Sequence, residues 1–191
     1  MKEALPLMFQ TGYLTFTSYD EIGEIYTLNF PNREVERTLN EMLLDVYIEN
    51  NQNVGGVVMV NKLRLALANE KLDEVKNIIN SLFKTLPYTL WQNENEAFFH
   101  AILHLTFKLL GIYVQSEVLT SDGRIDSIIH FADKIYCIEI KLDKSAQEAL
   151  QQIHDKGYLV AYEHVDKKRI AIGINFSKDK KEVAELEWEL I

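Results

Sequence analysis

Residues 123–141 read GRIDSIIHFADKIYCIEIK, two apolar runs separated by a short polar break. Asp126 lies on the first run, and Glu139 and Lys141 lie on the second. Alternate side chains of a strand point to the same face, so Glu139 and Lys141 share a face. A hairpin that turns at Ala132–Asp133 would bring Asp126 close to them. The stretch therefore predicts a site where two carboxylates hold a hard divalent cation such as Mg²⁺, while the lysine positions or activates a water.

This arrangement resembles the core of the PD-(D/E)XK nuclease superfamily, which pairs an Asp on one strand with Glu-x-Lys on the next. The resemblance implies two further catalytic residues, Glu96 on a helix before the first strand and Gln152 on a helix after the lysine strand. It also implies phosphodiester hydrolysis that depends on Mg²⁺, with Mn²⁺ as a substitute. The metal ligands would be Asp126, Glu139 and the carbonyl of Ile140.

A wider resemblance covers nearly the whole chain. Five stretches look like the C-terminal part of bacterial proteins that join an AAA-ATPase-like domain to a PD-(D/E)XK nuclease-like domain; they begin at Phe9, Asn29, Tyr113, Gly123 and Gln152. The resemblance implies nucleic acid as the partner, DNA rather than RNA, an ATPase domain in a longer parent chain, and a homodimer as one form of action. The chain has no Gly-x-x-x-x-Gly-Lys phosphate loop of its own, so it is not the ATPase.

Several candidate residues have simpler explanations. Glu96 could be a first-turn acid that complements the helix dipole. With His100 and His104 it forms an i, i+4, i+8 row that could be interpreted as a zinc face, although the familiar His-Glu-x-x-His pattern is missing. Gln151 is the exposed-face rival of its neighbour at 152, and Glu117 could be either another ligand or an ordinary strand-face acid. Lys156 and Tyr158 could contact substrate, but surface and core roles are the simpler interpretation.

Composition limits the setting of the protein. The 191-residue chain is 47% hydrophobic, enough for a packed core, and its single cysteine, Cys137, excludes a disulfide framework. No apolar run is long enough to cross a bilayer and no secretory signal is visible, so we expect a cytoplasmic protein without membrane contact. The formal net charge of −9 opposes binding to a phosphate backbone.

The charge keeps two alternatives open. One is a nuclease-like fold that recognises or regulates a protein or nucleic acid without cutting it. The other, less favoured, is a winged-helix DNA-binding regulator led by the first half of the chain. Divalent-metal-dependent binding would favour the enzyme over the regulator.

Hydrophobic periodicity predicts an α/β fold in two parts. Residues 1–87 are predicted to be mainly helical with a small β-hairpin, and the resemblance implies a winged-helix-like linker domain. Residues 88–191 have the predicted order αβββαβ, and the resemblance implies that they form the nuclease-like domain, a restriction-endonuclease-like core with a mixed central sheet. The alternating tail from Glu185 to Leu190 is predicted to add a strand at the sheet edge.

Overall fold

A computed structural model describes residues 4–47, 56–86, 96–110, 113–120 and 123–191. The chain divides into two compact units, Met1–Leu43 and Leu44–Ile191. The helices are α1 (Ala4–Gln10), α2 (Arg33–Tyr47), α3 (Gly56–Ala68), α4 (Leu72–Lys84), α5 (Glu96–Lys108) and α6 (Ala146–Asp155). The strands are β1 (Thr15–Asp20), β2 (Ile25–Asn29), β3 (Tyr113–Thr120), β4 (Gly123–His130), β5 (Lys134–Leu142), β6 (Lys168–Ser177) and β7 (Glu182–Leu190).

The first unit has the predicted order of helix, hairpin and helix. β1 and β2 pair in antiparallel fashion, and the side chain of Asn32 accepts a hydrogen bond of 2.9 Å from the Val35 amide at the start of α2. A row of exposed aromatic rings covers the hairpin, with centroids 4.4 to 5.0 Å apart along the series Phe9, Phe16, Tyr26, Tyr19. The apolar side chains of this unit therefore pack on one another at the surface.

The second unit is built on a five-stranded sheet in the order β3-β4-β5-β6-β7. β5 and β6 are parallel and the other neighbours are antiparallel, so the sheet is mixed. The predicted hairpin turn is confirmed, because the Phe131 amide donates to the Lys134 carbonyl across 2.8 Å. β7 pairs only with β6 and lies at the sheet edge, as the alternating tail predicted. The α/β class and the αβββαβ order are confirmed.

Alternating side chains of β5 divide the core into two layers. Tyr136 and Ile138 belong to a large buried cluster with side chains of α3, α4 and α5. Ile135 and Cys137 belong to a second cluster with α6. Because the side chains of a strand alternate, Glu139 and Lys141 lie on the same face as this second pair, toward α6.

The second compact unit begins at Leu44 and includes α3 and α4, which the predicted division after residue 87 assigned to the first domain. Asn80 of α4 donates to the Val183 carbonyl and accepts from the Val183 amide, at 3.1 and 2.7 Å. A register shift in the β6–β7 ladder occurs at this position, and the α4 side chain satisfies the backbone there. These contacts join α4 to a strand about a hundred residues later, and the division after residue 87 stays a prediction. The linker role predicted for residues 1–87 stays a prediction.

An ion cluster fixes the end of α3 to the sheet. The buried Lys134 ammonium donates to the Ala68 carbonyl across 2.9 Å and to Glu70 across 2.7 Å. Lys168 of β6 also donates to Glu70 at 2.9 Å. Burial acts to lower the pKa of Lys134, but its hydrogen bonds to the Glu70 and Asp133 carboxylates raise this pKa above its usual value. Within the described ranges, no helix is long and apolar enough to cross a membrane.

Candidate active site

Three side chains converge near the C-terminal end of β5. Lys141 donates from Nζ to Glu139 Oε1 across 3.0 Å and to Gln152 Oε1 across 2.5 Å. Gln152, on α6, donates from Nε2 to the same Glu139 oxygen across 2.5 Å. A single amide therefore bridges the carboxylate and the ammonium, because its two ends have opposite hydrogen-bonding character.

Asp126 approaches this cluster from β4. The β4–β5 ladder extends from His130–Ile135 to Ser127–Ile138 and ends there. Beyond this point a side chain replaces the backbone partner, because Asp126 Oδ2 accepts a hydrogen bond of 2.8 Å from the Ile140 amide. This contact places the second carboxylate beside the residue that separates Glu139 from Lys141.

Glu139 is a buried carboxyl group in an unfavourable setting. Its residue is 3% exposed, and burial followed by the charge of Asp126 raises its pKa from 4.5 to about 7, although Lys141 acts to lower it. One oxygen, Oε2, is buried without a hydrogen-bond partner in the described part of the chain. A buried acceptor of this kind is costly unless a ligand or ion satisfies it.

Tyr158 connects the cluster to the backbone of β4. Its buried hydroxyl accepts from Gln152 Nε2 at 3.3 Å and donates to the Arg124 carbonyl at 2.9 Å. The Gln152 amide is therefore held on one side by the reactive groups and on the other by a fixed phenol. The sequence favours a core or surface role for Tyr158, and the spacing of this residue does not indicate the contact.

The contact between α6 and β6 is unusually close at Gly173. This residue lies opposite Glu139 in the parallel β5–β6 register. A Cβ atom built on it would be 2.2 Å from the Ala146 carbonyl oxygen and 3.0 Å from the Leu150 side chain. Only glycine allows the helix to lie this close to the strand, and the position of Gln152 depends on that approach.

The donor set fits a hard divalent cation. Asp126 and Glu139 are adjacent carboxylates, and the Oε2 atom of Glu139 has the free acceptor capacity that a cation would use. The Ile140 carbonyl, predicted as the third ligand, belongs to the residue whose amide binds Asp126. No group of three or more His, Cys, Asp or Glu side chains poised for a metal occurs among the described residues. A metal ion at this site would therefore be held by two carboxylates, one backbone carbonyl and water molecules.

The structure describes the side chains of some of the other candidate residues but not of all of them. Glu96 begins α5, but its side chain lies outside the described part of the structure, as do those of His100 and Glu117. The zinc face considered for Glu96, His100 and His104 therefore stays untested. Gln151 donates to Asp155 across 2.7 Å on the exposed side of α6. Gln152, and not its neighbour, therefore contacts Glu139 and Lys141.

Comparison with known proteins adds two findings. Residues 94–186 match the family model of the PD-(D/E)XK nuclease superfamily. The chain is also 33% identical over 186 residues to an uncharacterized protein encoded in the 5′ region of vnfD in Azotobacter chroococcum mcd 1. That alignment covers 93% of this chain and 36% of the relative, so the chain spans about a third of the length of the relative.

Proposed function

We propose, from the membership of residues 94–186 in the PD-(D/E)XK nuclease superfamily, that this protein is a divalent-metal-dependent nuclease that hydrolyses phosphodiester bonds. The observation that carries the proposal is the cluster of Glu139, Lys141 and Gln152 beside Asp126. Its buried Glu139 oxygen has no hydrogen-bond partner among the described residues. A structural salt bridge would pair both oxygens, whereas a metal site needs one of them available.

In this proposal Asp126, Glu139 and the Ile140 carbonyl hold Mg²⁺ or Mn²⁺. When bound, the ion would polarise the scissile phosphate and lower the pKa of a water molecule. Lys141 keeps its ammonium at the edge of the site through Glu139 and Gln152. From there it orients the attacking water or stabilises negative charge on the phosphate oxygens.

Gln152 has a positioning role. Its amide oxygen accepts from Lys141 while its nitrogen donates to Glu139 and Tyr158. The orientation of Lys141 is therefore fixed by a neutral group that adds no competing charge.

DNA as the substrate and attachment to an ATPase-like domain in a longer chain are also part of the proposal, and both rest on the sequence resemblance. The cytoplasmic setting stays a prediction.

The test is cleavage of linear, circular and single-stranded DNA and of RNA with Mg²⁺ or Mn²⁺. Wild type is compared with Asp126→Asn, Lys141→Met and the remote control Lys62→Ala, each with its unfolding transition measured. We expect metal-dependent cleavage that the first two changes reduce by a factor of at least about 10³. The control should cleave like wild type.

Two results would oppose this assignment. Cleavage that survives both Asp126→Asn and Lys141→Met would place the chemistry elsewhere. An absence of cleavage together with an absence of Mg²⁺ or Mn²⁺ binding by calorimetry would favour a recognition module with a nuclease fold.

A further inference from the structure

An open groove of about 490 Å³ extends from the candidate site along α6. Lys141, Gln152 and Tyr158 line the end that belongs to the site, and the groove continues past Arg124, Lys144 and Lys156. Four basic and two acidic side chains line it in total. The groove is therefore locally cationic on a chain whose net charge is −9.

The two acids of the groove are engaged in the local structure of α6. Glu148 lies in the first turn of the helix, where its amide donates to the N-cap Ser145 Oγ at 3.1 Å and its carboxylate accepts from the same hydroxyl at 3.5 Å. Asp155 accepts from Gln151 at 2.7 Å. These hydrogen bonds direct both carboxylates to partners on their own helix.

Among the described residues, the lysines at the two ends of α6 have no carboxylate partner. Lys144 and Lys156 are exposed, and neither ammonium lies within 4.0 Å of a carboxylate in the part of the chain that the structure describes. Unpaired cations in a groove attract a mobile anion more strongly than cations already in ion pairs, because no internal bond must be broken.

The backbone of Lys144 is held in place by a buried residue of the neighbouring strand. Asn175 of β6, 5% exposed, accepts from the Lys144 amide at 3.0 Å and donates to the Lys144 carbonyl at 2.7 Å. Lys156 is the C-cap residue of the same helix. The backbone positions that carry these two lysine side chains are therefore fixed at opposite ends of α6.

The length of α6 sets the size of the ligand. Its 10 residues extend about 15 Å at 1.5 Å per residue. A strand of nucleic acid rises about 3.4 Å per phosphate, so the helix spans about four nucleotides. Lys141 and Gln152 lie beside this path, where the bond to be cut would be.

We propose that Lys144 and Lys156 bind phosphates of one nucleic-acid strand on either side of the scissile phosphate, with the strand lying along α6. This inference rests on the proposed function, since it assigns that site a substrate several nucleotides long. It explains how an acidic chain binds a polyanion: a short cationic track is concentrated beside the reactive groups.

The test measures binding separately from cleavage. Asp126→Asn protein in EDTA is titrated with a fluorescent single-stranded oligonucleotide longer than the groove, over a range of salt concentrations. The same titration is made on Asp126→Asn carrying Lys144→Ala with Lys156→Ala, and on Asp126→Asn carrying Lys62→Ala. Loss of two phosphate contacts should reduce the slope of log K against log salt by about 1.4.

The inference stands if the slope falls in the Lys144, Lys156 variant and not in the Lys62 control. It is overturned if the slope is the same in all three proteins, or if Lys62→Ala lowers it equally. Hydrolysis of a small activated phosphodiester by wild type tests the proposed function independently. If the wild type binds strands through these lysines but cleaves no phosphodiester, the inference about the groove stands and the proposed nuclease function fails.

Discussion

At the scale of single residues, the candidate site is dominated by the buried carboxyl group of Glu139. In the metal-free protein this group resists ionisation, because burial and the charge of Asp126 outweigh the attraction of Lys141. Its pKa rises from 4.5 to about 7, which corresponds to a cost of up to about 3 kcal/mol for the ionised form in the folded state. A residue kept at this cost is more consistent with a functional role than with a stabilising one.

The first prediction follows from the sign of this pKa change. The unfolded carboxyl group loses its proton near pH 4.5 and the folded one near pH 7. The metal-free wild type therefore loses stability as pH rises through this window. Glu139→Gln does not titrate, and its amide oxygen can still accept from Lys141. We expect it to exceed wild type in free energy of unfolding by about 1–3 kcal/mol above pH 7, with no cleavage activity.

Urea unfolding of both proteins in EDTA at a series of pH values measures this difference. Below the ordinary carboxyl pKa the two proteins should agree in pH dependence, and Mg²⁺ should stabilise only wild type. A variant that is less stable than wild type at high pH would mean that Glu139 supports the fold through Lys141 and Gln152.

At the scale of secondary structure elements, the distance between α6 and β6 determines the geometry of the site. Any Cβ on Gly173 would overlap the Ala146 carbonyl, and Gln152 follows Ala146 on the same helix. The helix cannot move from the strand without carrying the Gln152 amide away from Glu139. A residue that contacts no reactive group therefore controls the arrangement of the groups that do.

The second prediction concerns Gly173→Ala. The added methyl group meets a backbone carbonyl at 2.2 Å, so α6 must shift, at a cost of about 1–3 kcal/mol in stability. We expect cleavage per folded molecule to fall by about tenfold or more as Gln152 leaves its position. Ala66→Val, which adds volume to the buried face of α3, is the control and should lower stability alone. Full activity in folded Gly173→Ala protein would mean that the position of α6 does not control the geometry of the site.

The sequence predicted those parts of the site that depend on strand periodicity. Glu139 and Lys141 were placed on one face because side chains alternate along a strand, and Asp126 was placed near them by the hairpin at residues 132–133. The contact of Tyr158 with Gln152 and the close approach at Gly173 were not foreseen. Both depend on how far a helix lies from a sheet, and that distance is set by packing among residues distant in sequence.

The packing partners of α3 and α4 are also set by residues distant in sequence. The apolar faces of α3 and α4 were visible in the sequence, but their periodicity did not indicate what would cover them. These faces are covered by a sheet whose first strand begins at Tyr113. Lys134 and Asn80 then fix these helices to strands far along the chain.

At the scale of the whole molecule, α3 and α4 are necessary parts of the second unit. Leu63, Ile79 and Phe83 are each at most 1% exposed and belong to the same buried cluster as the sheet. Each such side chain contributes about 1.5–3 kcal/mol on burial. The lost burial of these three side chains alone, about 5–9 kcal/mol, is comparable to the total stability of an ordinary domain, about 5–15 kcal/mol.

The third prediction compares two fragments. Residues 44–191 should unfold cooperatively, with a transition close to that of this unit in the full chain. Residues 88–191, which keep the candidate site but lack α3 and α4, should aggregate or lose a cooperative transition. Thermal circular dichroism and size-exclusion chromatography measure both. Cooperative unfolding of the shorter fragment would support the predicted boundary after residue 87 and contradict a structural need for α3 and α4.

The division into two units also has a spectroscopic consequence. The chain has two tryptophans, Trp91 and Trp188, and both belong to the range Leu44–Ile191. The exposed ring row of the first unit contains only phenylalanine and tyrosine. Fluorescence excited selectively in tryptophan therefore follows the second unit alone, whereas circular dichroism follows both. A single denaturant titration read by the two signals distinguishes units that unfold together from units that unfold in sequence.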